Sequence, residues 1–175
     1  GTEPITLTKT TAFHGGEFYP VYFGGERSVT IGAGETAVSD ALELTVNAGE
    51  MIQVSFYLGD FTLMRSVVFT CGPLSQGLYA NGDETETAHI SLETSRPTHL
   101  NYFLSNVSVL TDAANRSIVC YGDSITAQDW PDYLSLRCFR EGYDHTAIIR
   151  RATSGSRILR EYSCLTYESY GLSGA

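Results

Sequence analysis

Two hydrophobic patterns divide the chain. Up to Leu110, apolar positions come in short runs or alternate with polar ones. Leu42, Leu44 and Val46 alternate with polar residues, Asn47-Ala48-Gly49 makes a turn, and Ile52, Val54, Phe56 and Leu58 continue on one face. Period-two alternation on both sides of a turn predicts an antiparallel hairpin with one buried face. Val29-Thr30-Ile31, Val67-Val68-Phe69 and Leu100 to Leu104 predict further short strands, and Gly15-Gly16, Gly24-Gly25 and Gly32-Ala33-Gly34 supply turns. Regular short strands without helical periodicity predict a β-sandwich of jelly-roll type. No internal repeat or low-complexity segment interrupts them.

Beyond Asn115 the pattern changes. The run Ile118 to Tyr121 breaks abruptly into Gly122-Asp123-Ser124, which fits a buried parallel strand ending in a tight turn. A helix follows, with Asp129 placed to cap it, Pro131 suited to its first turn and Gly142 at its end. Trp130, Leu134 and Cys138 recur every four residues and predict its inward stripe. Thr146 to Ile149 is the next strand, and Gly155 falls beyond its end. Strand, helix, strand is one right-handed βαβ unit. The expected organisation is therefore a β-sandwich over residues 1–114 followed by an α/β unit over 115–175. Chemistry in open α/β sheets collects past the carboxyl ends of the strands. Ser124 stands there as a candidate nucleophile. Gly155, taken by itself, serves equally well as a plain turn glycine.

Charge supports the same division. Residues 1–115 hold 13 acids against four bases (Lys9, Arg27, Arg65 and Arg96), whereas residues 116–175 hold seven of each. An acidic first part without a basic footprint disfavours nucleic acid as a partner. No apolar run approaches the ~20 residues of a membrane helix, so no membrane partner is expected. No signal peptide is visible; removal of an export signal upstream of Gly1 would place the protein outside the cell or in the periplasm. Cys71, Cys120, Cys138 and Cys164 lack zinc-type spacing and are expected as small, mostly buried thiols. The polar stretch Asn81 to Glu86 lacks the spacing of a calcium loop and is expected as solvated loop. Neither metal nor cofactor is expected.

The segment Gly122-Asp123-Ser124-Ile125-Thr126, continued by Trp130-Pro131-Asp132-Tyr133-Leu134, resembles the first block of the SGNH, or GDSL-type, hydrolases. Ala152-Thr153-Ser154-Gly155-Ser156-Arg157 is similar to their second block. The resemblance implies a flavodoxin-like catalytic unit behind a β-sandwich, with Ser124 as nucleophile. It implies the N–H groups of Ser124 and Gly155 as the oxyanion hole, with Gly122 and Asp123 supporting the turn. The implied substrate is an acyl ester, carbohydrate-linked or of another small alcohol.

The family's third block and its Asp-x-x-His block have no counterpart, since residues 156–175 contain no His, Asn or Asp. A serine hydroxyl needs a base to take its proton. His14, His89 and His99 fall in the expected sandwich, and His145 precedes its strand, at the end of the sheet opposite Ser124. A doubly wound domain needs on the order of 100–150 residues, and 60 follow Asn115. The expectation is the front part of a longer ester hydrolase, weakly active or inactive, that self-associates or pairs with a missing C-terminal segment. A non-catalytic carbohydrate-binding or protein-interaction sandwich is the alternative, with Tyr19, Tyr22, Tyr57, Tyr79 and Tyr102 either stacking on sugars or packing inside.

Overall fold

The computed structural model describes residues 2–62, 68–69, 72–111, 115–143 and 145–154. Among these the chain is rich in strands and has one helix. In chain order they are β1 (Ile5–Leu7), β2 (Lys9–His14), β3 (Glu17–Val21), β4 (Val29–Ile31), β5 (Gln53–Tyr57), β6 (Val68–Phe69), β7 (Gly77–Ala80), β8 (Ser95–Thr98), β9 (Leu100–Asn101), β10 (Arg116–Gly122), α1 (Trp130–Arg140) and β11 (Thr146–Ala152). By contact they form two units, residues 1–67 with 78–98, and residues 68–77 with 99 onward. This division departs from the charge step near Asn115. Residues 68–77 join the second unit because β6 pairs with β9, Val68 opposite Asn101 and Phe69 opposite Leu100, and because Leu74 is bonded to α1.

In the first unit β2 is the central strand, flanked antiparallel by β3 and β5. Thr10, Thr11 and Ala12 are consecutively buried on it, as a strand covered on both faces requires. Leu7 and Val21 are the other buried apolar side chains among the described residues of this unit. Gly15 and Gly16 both have positive φ, 59° and 90°, and close β2 onto β3 as a two-residue turn that other residues adopt with difficulty. Phe13 and Phe18 face each other across this hairpin with ring centroids 4.6 Å apart. A second pair, Gly24 and Gly25, donates both N–H groups to the Asp40 carboxylate at 2.9 and 2.8 Å.

The hairpin expected over residues 42–58 does not form. Leu42, Leu44 and Val46 are half-buried in alternation with exposed neighbours, but they belong to no strand, and β5 pairs with β2 instead. Period-two alternation specifies which side of an extended segment faces inward; it does not choose the partner. β4 forms where expected and pairs with β1.

A polar cluster ties the 81–86 loop to β2. Lys9 Nζ lies 3.0 Å from Asp83 Oδ2 and 3.2 Å from Glu86 Oε1. Buried Thr85 donates its hydroxyl and its N–H to Asp83 Oδ1 at 2.5 and 3.0 Å. These bonds, the Thr85 hydroxyl first, hold the Asp83 carboxyl below its usual 3.8. A depressed folded pKa contributes stability that is present above the unfolded value and lost as pH falls through the folded one. The stability advantage of the native chain over Asp83→Asn is therefore expected to be full at about pH 5 and to vanish progressively below the ordinary carboxylate pKa. Urea midpoints measured against pH check it.

In the second unit β10 and β11 pair in parallel, in register from Arg116 opposite Thr146 to Gly122 opposite Ala152. Along β11, half-buried Thr146, Ile148, Arg150 and Ala152 alternate with exposed Ala147, Ile149 and Arg151. The half-buried set shares a face with Cys120, which is buried. α1 connects the two strands, with Pro131 in its first turn and Gly142 at φ +81° just beyond its end. The stripe expected at Trp130, Leu134 and Cys138 needs correction. Trp130 is 41% exposed, while Pro131 and Asp132 are buried and Leu134 and Cys138 half-buried. The helix is rotated so that its first turn buries Asp132, whose carboxylate has a backbone partner at Leu74. Cys71 and Cys164 lie outside the described residues.

Candidate active site

Ser124 is exposed on the turn that follows β10, at its carboxyl end. The turn is built from its own short side chains. Asp123 Oδ1 accepts the Ile125 N–H at 2.9 Å, and the Asp123 carbonyl accepts the Ala127 N–H at 2.9 Å. An aspartate bonding the N–H two residues on is the turn-forming behaviour of that side chain. Asp123 is thereby engaged within the turn, while the neighbouring Ser124 side chain is presented to solvent.

Gly122 is required by crowding. A Cβ at this position would collide with the Thr126 side chain, 2.9 Å from its Cβ and nearer still to its hydroxyl. Thr126 therefore folds back over the strand end, which closes the turn. Gly122→Ala is expected to destabilise the second unit by ~1–3 kcal/mol through overpacking. Adding Thr126→Ala should recover much of that loss, because the colliding atoms are then gone. Urea denaturation of the two single variants and the double variant measures the coupling.

Two bonds, one from β11 and one from the residue after it, reach this segment. The Thr153 N–H donates to the Gly122 carbonyl at 3.0 Å, carrying the parallel ladder one residue past the end of β11. Arg150 Nη1 donates to the Gln128 carbonyl at 2.7 Å. Arg150 also lies 3.8 Å from Asp132 Oδ1, and Asp132 Oδ2 accepts the Leu74 N–H at 3.0 Å. Gly72 passes so close to this carboxylate that a Cβ there would collide with it. Sequence reasoning missed Arg150, Asp132 and the 72–74 segment. The available signal was an arginine at an inward position of a strand otherwise carrying Ile148 and Ala152, since a half-buried guanidinium needs acceptors.

Gly155, the second expected oxyanion donor, lies outside the described residues, as does Asp144. Thr153 and Ser154, the residues leading to it, emerge at the same edge as Ser124. His145 stands at the other edge: its carbonyl accepts the Arg116 N–H at 2.9 Å, at the start of both strands. Seven paired residues separate the edges, so at ~3.3 Å per residue His145 begins about 20 Å from the Ser124 turn. His14 is engaged in the first unit, with Nδ1 3.0 Å from the Met51 carbonyl and Nε2 3.2 Å from Glu50 Oε2. His89 and His99 are exposed, and His99 groups with the second unit instead of the first. Among the described residues no cluster of three or more His, Cys, Asp or Glu is placed to hold a metal, and no helix is long and apolar enough to cross a membrane.

No protein-family model matches the chain, and no curated protein matches it.

Proposed function

We propose that the second unit carries the nucleophile segment of a serine ester hydrolase of the SGNH type, acting on acyl groups attached to carbohydrate or another small alcohol. The observation that carries this proposal is the exposed Ser124 on a side-chain-stapled turn at the carboxyl end of a parallel strand. Ser124 Oγ attacks the acyl carbonyl, and backbone N–H groups at this edge, those of Ser124 and Gly155, stabilise the oxyanion. The proton of Oγ passes to a base brought by a segment of Asp-x-x-His type. The jelly-roll form of the first unit and the flavodoxin-like form of the second belong to the same proposal. Its test is acylation: p-nitrophenyl acetate in the presence of imidazole as an external base should acetylate Ser124, read by peptide mass spectrometry. A chain acetylated at Lys9, its one lysine, and not at Ser124 would overturn the proposal.

A second reading, a sugar-binding module, is favoured by Tyr79, which is 59% exposed in the first unit. Exposed aromatic faces stack on sugar rings. Saturation-transfer NMR with a panel of neutral oligosaccharides, repeated on Tyr79→Ala, separates it from the esterase proposal, because Ser124→Ala should leave such binding unchanged.

A further inference from the structure

We infer that Arg150 is a positioning residue for the Ser124 turn, aligned by Asp132; this rests on the proposal that Ser124 is the nucleophile. The turn runs from the end of β10 to Asp129 at the N-terminus of α1. Its internal bonds, from Asp123 to Ile125 and Ala127 and from the Gln128 N–H to the Ile125 carbonyl at 3.3 Å, fix its shape but not its direction. Direction comes from β11 and the residue that follows it. Thr153 holds the start of the turn at Gly122, and Arg150 holds its end at Gln128. Ser124 lies between these two anchors.

The second anchor is itself held. Arg150 is long and flexible, and its guanidinium can take many positions. Here its side chain is 21% exposed and sits beside Asp132, which is 11% exposed. Asp132 is fixed in turn by α1 and by the Leu74 N–H. A carboxylate anchored on one side by a backbone N–H leaves its other oxygen toward the guanidinium, so Arg150 is aimed at Gln128. Displacing a reacting atom by ~1 Å can cost ~100-fold in rate, so an anchor four residues from Ser124 carries weight in catalysis without touching substrate.

The test compares the native chain with Arg150→Met, Arg150→Lys, Asp132→Asn and Ser124→Ala. Two readouts are used. The first is amide hydrogen exchange at Ile125, Ala127 and Gln128, with the β10 amides as an internal reference. The second is acetylation of Ser124 from p-nitrophenyl acetate with imidazole present. In that step the Ser124 Oγ–acetyl bond forms, imidazole takes the proton, the acetyl–phenolate bond breaks and p-nitrophenolate leaves. Arg150→Met is expected to speed exchange in the turn by ~10-fold or more while β10 is unchanged. Its limiting acetylation rate should fall ~10–100-fold, with the half-saturating ester concentration within about twofold of native. Arg150→Lys should recover part of both, and Asp132→Asn should show a smaller loss of the same kind. These two conservative variants keep the test open should Arg150→Met fail to fold. Unchanged exchange and acetylation in Arg150→Met and Arg150→Lys, with Ser124 acetylated as in the native chain, overturn the positioning inference alone. An unmodified Ser124 in the native chain overturns the nucleophile proposal, and with it any catalytic consequence of Arg150.

Discussion

Without an added base, p-nitrophenyl acetate is expected to be hydrolysed by the purified chain only slightly above its solution rate. Ser124→Ala should remove whatever enzyme-dependent fraction there is. The expectation follows from the positions and bonds of the histidines within their own units. His145 starts at the opposite edge of the β10–β11 pair. His14 is bound to Met51 and Glu50 in the other unit, and residues 156–175 supply no histidine. An unassisted serine hydroxyl is a weak nucleophile. Hydrolases stripped of a triad member retain roughly 10³–10⁴-fold over water from oxyanion donors and binding, and lose the rest. Adding a segment that carries Asp-x-x-His should therefore raise kcat by at least ~100-fold, the usual scale of a positioned general base. Its effect should disappear in Ser124→Ala. Robust turnover by the chain alone, abolished by Ser124→Ala, would show that a base reaches Ser124 by another route, and His145 is then the residue to mutate first.

Asp132→Ala is expected to be the most damaging substitution in the second unit. It removes the acceptor of the Leu74 N–H and one neighbour of Arg150 in a place where the Asp132 and Arg150 side chains are largely covered. Leaving the part-buried Leu74 N–H without its acceptor costs ~1–3 kcal/mol, while Arg150 keeps its bond to the Gln128 carbonyl. For a unit of this size that corresponds to a fall in melting temperature on the order of 5–20 °C. The loss should be local. Near-ultraviolet signals from Trp130, in the same first turn of α1 as Asp132, report the second unit, while the Phe13–Phe18 hairpin in the first should melt unchanged. A specific check uses Gly72. Gly72→Ala places a methyl group against the Asp132 carboxylate, so its cost should shrink when Asp132 is already alanine. The positive φ of Gly72, 123°, leaves a residual strain that the double variant keeps. Additive losses would show that the two residues do not press on one another.

Much of the site's immediate frame is legible in the chain. The apolar run into Gly122-Asp123-Ser124 encodes a strand that stops and a turn that follows, because both depend on neighbouring residues. Pro131 and Gly142 delimit α1 for the same reason, and paired glycines mark the two turns at residues 15–16 and 24–25. Parallel pairing of β10 with β11 is implied by the intervening helix, since strands joined by such a crossover run the same way. The alternation at Leu42 to Val46 also survives, as a burial pattern.

What local pattern does not carry is the choice of partner. Leu42 to Val46 could have faced β5; β2 took that place, with a run of small buried residues covered on both sides. The rotation of α1 was settled in the same way. Hydrophobicity alone turns Trp130 inward, but a backbone N–H at Leu74, 58 residues earlier in the chain, offered Asp132 a bond that a buried carboxylate requires. That contact then drew Arg150 into line with Gln128. The chain by itself determined where Ser124 sits on a turn, because a turn is made of adjacent residues. Only the tertiary structure decided what holds that turn in direction, because a buried polar group must find its partner wherever folding brings one near.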